Sequence, residues 1–224
     1  MGIIKNGPNG AVTGRVDNLV YYMLNGKNIV RKIGKVFTDP TVSQLRARMI
    51  TKLCGEFFGK LQDYINVGFG IEALGTDKNA FNFAVSENRR KMFTGAYPNL
   101  EVDYPQLVFS RGDLKQGEEI KSAATAEGIS FTWKTDDKMP WAESTDQAML
   151  LAYFPEEKKS VYKLFGNSRI TGQDKLVLPP SLLGKYAETY VGYIAADRKA
   201  VSLSTYAGRV DQPIAEVIQL SLAF

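Results

Sequence analysis

The stretch RVDNLVYYMLNGKNIVRKI, residues 15–33, contains the clearest folding signal in the chain. Two runs rich in β-branched and aromatic residues flank the dipeptide Asn25-Gly26. Asn-Gly favours a two-residue type I′ turn, because both central residues of that turn adopt a positive φ. The stretch therefore predicts a β-hairpin. Since an isolated hairpin is only marginally stable in water, we expect this one to lie against another part of the structure.

The segments on either side of the hairpin predict an irregular arm and a helix. Residues 1–15 contain four glycines and predict backbone that is irregular or ordered only conditionally. After the hairpin, Pro40 suits the first turn of a helix, and residues 41–44, TVSQ, have the form of a capping box. The helix itself is predicted from apolar residues that recur every four positions, namely Leu45, Met49, Leu53, Phe57 and Leu61.

A second helix is predicted over residues 77–93, with Phe81 and Val85 facing inward. Gly55 and Gly59 lie about one turn apart in the first helix. Because glycine has no side chain, we expect these two positions to let the second helix approach closely.

From residue 106 onward, short apolar runs alternate with clusters of Gly, Pro and Asp. This pattern is typical of an antiparallel β-sandwich. The runs cover residues 107–110, 129–134, 148–154, 161–165, 175–178, 189–195 and 200–207. The last two predict a hairpin in which Tyr190 opposes residues 204–206, and Trp133 is expected in the core between the sheets. The single cysteine, Cys54, cannot form the disulfide of a true immunoglobulin domain.

The sequence thus predicts an α+β fold in three parts. Residues 1–100 hold the glycine-rich arm, the β-hairpin and a two-helix region. Residues 101–212 form an antiparallel immunoglobulin- or fibronectin-III-like β-sandwich. Residues 213–224 form a terminal strand, which could pair with the sandwich, pair with the hairpin or be donated to a neighbouring subunit. The strand is predicted from the alternating apolar residues Ile218, Leu220, Leu222 and Phe224.

Positive charge is concentrated in the first part of the chain. Residues 1–100 carry 14 Lys and Arg against 7 Asp and Glu, whereas the remainder carries 14 against 17. Basic residues cluster around the hairpin, namely Arg15, Lys27, Arg31, Lys32 and Lys35. Such a cluster can bind nucleic acid, contact an acidic face of a neighbouring subunit, or be solvated.

The composition excludes several kinds of catalytic site. There is no histidine and only one cysteine, which removes Ser-His-Asp and Cys-His nucleophiles and His- or Cys-ligated zinc. The densest carboxylate group, Asp136, Asp137, Glu143 and Asp146, does not have the spacing of an EF-hand, and acids are normal in a polar loop. No phosphate-binding or dinucleotide-binding glycine motif occurs. We therefore predict no catalytic residue, no cofactor and no metal.

The terminal sequences lead to an expectation about location. No stretch approaches the roughly 20 apolar residues of a membrane-spanning helix. Residues 1–8 lack the apolar core of a secretory signal. We expect no membrane insertion and a cytoplasmic protein, or one exported only as part of a larger particle.

Several motifs carry a resemblance to a known family. They are GAVTGRVDNLV at residues 10–20, NGK at 25–27, DPT at 39–41, SRGDL at 110–114, FTW at 131–133 and STYAG at 204–208. With these motifs the chain resembles an uncharacterised Bacteroidota family that is known only as a domain of unknown function. Its opening is also similar to small phage-encoded proteins of unassigned role. The resemblance implies no catalytic residue.

These observations favour a non-enzymatic structural or interaction protein. Abundant tyrosine in predicted strands suits subunit contacts, and we expect a homo-oligomer in which terminal β-segments are exchanged within a phage-type particle or filament. The residues expected to mediate assembly are Val16, Leu19, Tyr21, Tyr22, Ile29, Val30, Ile218, Leu220, Leu222 and Phe224. Two alternatives stay open: a nucleic-acid-associated protein that uses the basic hairpin, and a carbohydrate- or peptide-binding module on the sandwich loops.

Overall fold

The computed structural model describes residues 2–4, 10–24, 26–34 and 39–211. Contacts divide the chain into two compact units, Met1–Gln44 and Leu45–Phe224. Within these described residues the fold is α+β. The predicted terminal strand with Ile218, Leu220, Leu222 and Phe224 lies outside them, as does Lys35.

The N-terminal unit is a four-stranded antiparallel sheet in the order β1-β2-β3-β4. The strands are β1 (Gly2–Ile4), β2 (Val12–Val16), β3 (Leu19–Leu24) and β4 (Lys27–Lys32). Leu24 pairs with Lys27 across a two-residue connection, and Gly26 has a φ of 76°. The predicted hairpin is therefore confirmed, and β2 is the element that it lies against.

The irregular arm predicted over residues 1–15 is wrong. Gly2–Ile4 pairs with β2, so this stretch contributes two strands to the sheet. A second two-residue connection also follows Val16, which pairs with Leu19, and Asp17 adopts a φ of 48°. Aspartate tolerates this left-handed conformation because its short side chain hydrogen-bonds locally. Strand β1 was not predicted, because its glycine-rich surroundings indicated irregular backbone and only its pairing with β2 identifies it as a strand.

The helices, the first of which begins in the last residues of the N-terminal unit, differ in part from the predicted ones. Helix α1 (Val42–Phe58) opens with the expected capping box: the Thr41 amide donates to Gln44 Oε1 at 3.1 Å, and the Gln44 amide donates to Thr41 Oγ1 at 3.3 Å. A 3₁₀ turn at Gly59–Leu61 then separates α1 from α2 (Gln62–Ala73). The predicted second helix is shorter than expected.

This helix, α3 (Ala80–Asn88), begins where the side chain of Asn79 accepts a hydrogen bond from the Asn82 amide at 2.8 Å. Phe93, the predicted end of the helix, instead opens a hairpin of β5 (Phe93–Ala96) and β6 (Asn99–Val102). The hairpin gives this segment an extended conformation that the apolar spacing did not indicate.

The close approach predicted at Gly55 and Gly59 is wrong. A Cβ added at either position would meet no atom within 4 Å. The tight position is Gly68 in α2, where an added Cβ would lie 2.3 Å from the carbonyl oxygen of Phe109. The Arg111 amide donates to the Gly68 carbonyl at 3.0 Å, so a loop backbone lies directly on this helix.

Two further antiparallel sheets have the strand orders β11-β8-β7 and β10-β9-β12-β13. The strands are β7 (Lys121–Thr125), β8 (Gly128–Thr132), β9 (Gln147–Phe154), β10 (Lys159–Lys163), β11 (Gln173–Val177), β12 (Ala187–Ile194) and β13 (Thr205–Val210), with the short helix α4 (Trp141–Ser144) before β9. Residues 107–110, which predict a strand, form none, and β7 was not predicted. Tyr190 was predicted to oppose residues 204–206, and it pairs with Tyr206.

The four-stranded sheet of this unit is buried on both faces. Met149, Leu151 and Tyr190 pack in one cluster with helix residues, which include Phe58 and Phe69. The alternate residues of the same strands pack in a second cluster with the β11-β8-β7 sheet. Because both faces are covered, β9 and β12 are almost continuously buried.

Trp133 belongs to the second cluster, as predicted, and is 5% exposed. Its indole Nε1 donates to the Arg169 carbonyl at 2.7 Å, and its ring meets that of Tyr193 edge-on at 5.7 Å. The change in composition near residue 100 predicts a boundary there, but contacts divide the chain after Gln44, because the helices and the sheets share a core.

Candidate interaction surface on the N-terminal sheet

The register of the N-terminal sheet sorts the predicted interaction residues onto two faces. Residues that pair directly across strands share a face, and residues alternate between faces along a strand. Val16 pairs with Leu19, which pairs with Lys32, and Tyr21 pairs with Val30. Continuing this pattern defines the apolar face, which consists of Ile4, Val12, Val16, Leu19, Tyr21, Met23 and Val30, with Asn28 and Lys32 along β4.

The opposite surface is the basic face. It carries the cations Arg15, Lys27 and Arg31 together with Ile3, Thr13, Val20, Tyr22, Leu24 and Ile29. The residues predicted for assembly are therefore divided, because Tyr22 and Ile29 lie on the basic face. The predicted cations are divided as well, since Lys32 lies on the other side from Arg31.

The apolar face is largely uncovered. Four of its side chains are about half exposed: Ile4 54%, Val16 48%, Met23 44% and Val30 53%. Among the described residues of 2–34 and 39–44, none is buried. A sheet of this kind obtains little stability from its own packing, because hydrophobic stabilisation depends on apolar area removed from water. The face has the properties of an interaction surface.

The basic face lacks compensating charge. Within the described residues 2–34 the one acidic side chain is Asp17, which lies in the turn and accepts a hydrogen bond from Arg15 Nε through its carbonyl at 3.0 Å. Residues 1–44 contain 6 Lys and Arg and 2 Asp and Glu, and the rest of the chain contains 22 of each. The whole net charge of +4 therefore resides in the N-terminal unit.

Three residues of the apolar face, Ile4, Val12 and Met23, were not among those predicted. The signal that could have found Met23 is its position relative to the Asn25-Gly26 turn. In a hairpin with a two-residue turn, positions equally distant from the turn pair with one another, so the period of two extends from Val30 and Tyr21 to Met23. Ile4 and Val12 pair with each other between β1 and β2, and no turn motif in the sequence predicts this pairing.

A protein-family model matches residues 9–208 of the chain, and its description is "Family of unknown function (DUF6266)". The chain belongs to this family. The match includes strands β2 to β4 and nearly all of the C-terminal unit. No curated protein and no solved structure matches the chain.

Two of the four carboxylates that the sequence singled out, Glu143 and Asp146, lie close to a buried arginine in this DUF6266 chain. Arg169 donates to the carbonyls of Lys115 at 2.7 Å and Gln116 at 2.6 Å, and lies 3.5 Å from Glu143 and 3.9 Å from Asp146. Burial raises the pKa of Asp146 to about 6, against the opposing effect of Arg169. Among the described residues no group of three His, Cys, Asp or Glu could hold a metal ion. This arrangement is an ion-pair network that fixes loops.

An apolar groove of about 380 Å³ lies within the C-terminal unit. Its lining includes Phe57, Met92, Tyr104, Tyr153 and Lys60. Lys60 Nζ donates to the Lys158 carbonyl at 3.0 Å, and burial raises the pKa of both Tyr104 and Tyr153. No residue predicted for a site lines this groove, since its walls come from segments far apart in the DUF6266 sequence.

None of the helices in the described ranges combines the length and the hydropathy that crossing a membrane requires.

Proposed function

We propose that this protein is a non-enzymatic structural subunit that associates with copies of itself through the apolar face of the N-terminal sheet. The observation that carries the proposal is the exposure of this face in a 44-residue unit without a buried residue among those described. Units near about 40 residues usually need oligomerisation or another staple to be stable. Covering the apolar face with a second copy would supply the missing core.

The charges of β4 favour association through the face of the sheet over extension at the β4 edge. Strand β4, at one edge, carries Lys27, Arg31 and Lys32. Charged edge strands, and lysine above all, disfavour pairing with another chain. Two apolar sheet faces, in contrast, pack about 10 Å apart, and a two-fold axis makes one patch complementary to its own copy.

The expected affinity of a single such contact is modest. Fully covering the four half-exposed side chains Ile4, Val16, Met23 and Val30 would contribute about 3–6 kcal/mol, at half of the usual value for each. Association costs about 4–15 kcal/mol in lost freedom of motion. We therefore expect an assembly that depends on concentration and gains strength from additional contacts, for which residues 213–224 are the proposed source.

The seven strands of the two C-terminal sheets support a fibronectin-III-like sandwich as the body of the subunit. The third strand of the smaller sheet, β11, follows β9 and β10 of the larger sheet, and the chain then returns to the larger sheet with β12 and β13. Such crossing of the chain between two antiparallel sheets is expected of a sandwich of this class. Such a fold carries no function by itself.

The resemblance to phage-encoded openings and to a Bacteroidota family supports a phage-type particle or filament as the setting. In such a particle many copies are present at high local concentration, which suits weak individual contacts.

Light scattering after size-exclusion chromatography tests the proposal directly. The full chain is expected to exceed its monomer mass of 24.9 kDa as its concentration rises from micromolar to submillimolar. The double variant Val16→Lys/Val30→Lys should shift the mass to that of the monomer. The matched control is Val177→Lys, since Val177 is also an exposed strand valine, at 64%, but lies on β11.

Circular dichroism of each variant checks that the strands are retained. A full chain that stays monomeric at submillimolar concentration would overturn the proposal, as would a double variant that assembles like the Val177→Lys control.

A further inference from the structure

We propose that the basic face of the N-terminal sheet binds single-stranded nucleic acid, with Arg15, Lys27 and Arg31 contacting phosphates and Tyr22 stacking on a base. This face is opposite to the apolar face, so the inference does not rest on the proposed assembly.

Tyr22 lies midway between Arg15 and Lys27, on the strand between theirs. Arg15 and Arg31 both pair with Val20, one on each side, and Val20 is two residues from Tyr22 on β3. Neighbouring strands lie about 4.8 Å apart, so Arg15 and Arg31 are separated by about 10 Å. Lys27 stands four residues from Arg31 on β4, about 13 Å away, and pairs with Leu24 beyond Tyr22.

The three cations are available to a ligand. Each is exposed, and among the described residues none of them forms an ion pair. Because all of the net positive charge of the chain is in this unit, a polyanion would approach it preferentially. Binding phosphates releases condensed counterions, which is the main source of affinity in such complexes.

The tyrosine favours a single strand over a duplex. Stacking on an aromatic side chain requires a base that is not already stacked in a helix. A four-stranded sheet is also about 15–19 Å wide, whereas the major groove of B-DNA, about 12 Å wide, admits a helix or a two-stranded ribbon. The sheet is a platform that a flexible single strand can follow.

The number of cations favours nucleic acid over an anionic membrane. Recognition of anionic lipid surfaces uses clusters of about four to eight Lys and Arg residues. Within the described part of the sheet the basic face supplies three, since Lys32 points to the other side. Stacking on Tyr22 adds affinity for a base that a lipid headgroup cannot obtain.

Fluorescence anisotropy of the full chain with labelled oligothymidylate and oligouridylate of about 12 nucleotides tests the inference. Three phosphate contacts predict a slope of about −2 for log K against log salt, and thus a loss of about twentyfold between about 50 and 200 mM salt. Arg31→Gln should weaken binding and reduce the slope by about 0.7. Tyr22→Val should weaken binding at least about fivefold with an unchanged slope, and Tyr22→Phe should preserve it.

The matched control is Lys32→Gln, which removes the same charge from the next residue of β4 but from the apolar side. It should retain nearly full affinity. The inference is overturned by absence of binding at about 50 mM salt, by equal losses in Arg31→Gln and Lys32→Gln, or by full affinity in Tyr22→Val.

Vesicles that contain phosphatidylserine provide the remaining arm of the test. Binding to vesicles without binding to either oligonucleotide would overturn the inference in favour of a membrane surface. The binding variants leave Val16 and Val30 of the apolar face unchanged, so the two proposals are tested separately. A chain that stays monomeric but binds oligonucleotide would overturn the proposed assembly and leave nucleic-acid binding supported.

Discussion

The guanidinium carbon of Arg169 lies 4.4 Å from the centre of the Tyr193 ring. Arg169 begins a 3₁₀ turn after β10, and Tyr193 lies on β12, so the contact joins a loop to the central sheet. Arg169 also accepts, through its carbonyl, the indole hydrogen bond of Trp133. This arginine therefore connects the ion-pair network of Glu143 and Asp146 to the second buried cluster.

Replacing Arg169 with methionine should lower the free energy of unfolding by about 3–5 kcal/mol, because a buried carboxyl loses its cation. Urea unfolding followed by tryptophan fluorescence measures the loss. The control is Arg209→Met, in which the arginine lies 4.1 Å from the Tyr186 ring but is 55% exposed. Solvent screens an exposed pair of this kind, so its loss should change stability far less. Similar losses in both variants would contradict the assigned role of Arg169.

Asp146 should make stability depend on pH in the direction opposite to that of most carboxylates. Burial raises its pKa from an ordinary 3.8 to about 6 in the folded state, so between these values the folded chain binds more protons than the unfolded chain. The free energy of unfolding contributed by Asp146 therefore falls as pH rises from about 4 to about 6, by up to about 3 kcal/mol.

Urea unfolding of the wild-type chain and of Asp146→Asn at a series of pH values isolates this contribution, because all other groups titrate in both proteins. The difference between their free energies of unfolding should change between about pH 4 and pH 6 and be constant at higher pH. A difference that is independent of pH from acid to neutral would show that Asp146 titrates normally.

The same substitution at two helical glycines should have opposite effects. Gly68→Ala places a Cβ 2.3 Å from the Phe109 carbonyl oxygen, and we expect a loss of about 1–3 kcal/mol because the backbone must move. Gly55→Ala meets open space in α1 and should increase stability by up to about 1 kcal/mol through helix propensity. Thermal unfolding of both variants compares them. Destabilisation by Gly55→Ala would show that another group covers that position.

The features that the sequence predicts correctly are those with local signals. The hairpin predicted from Asn25-Gly26 is present, since Leu24 pairs with Lys27. Thr41 and Gln44 form their capping box within one turn of chain, and Trp133 lies in an apolar run. The wrong predictions depend on distant partners. Gly68 is tight because of Phe109, which is 41 positions away, whereas Gly55 has no neighbour.

The sequence named most of the residues of the candidate surface on the N-terminal sheet, but not their division between its two faces. Arg31 and Lys32 are adjacent in sequence, and the register places them on opposite faces. The alternation of a strand contains this information, but grouping the cations by proximity in sequence conceals it. Strand β2, which carries Arg15, could not be predicted, because the glycines around it are typical of irregular backbone.

The single thiol reports on opening of the helical core. Cys54 is fully buried in α1, with its Sγ 3.5 Å from the sulfur of Met92, and burial raises the pKa of its thiol from 9.0 to about 11. At about pH 8 the smaller thiolate fraction alone slows reaction with a disulfide reagent about a hundredfold. The control is Lys52→Cys in a Cys54→Ala background, which places a thiol at an exposed position of the same helix. Comparable reaction rates for the two thiols would mean that α1 separates readily from the sheet, and would contradict the shared core.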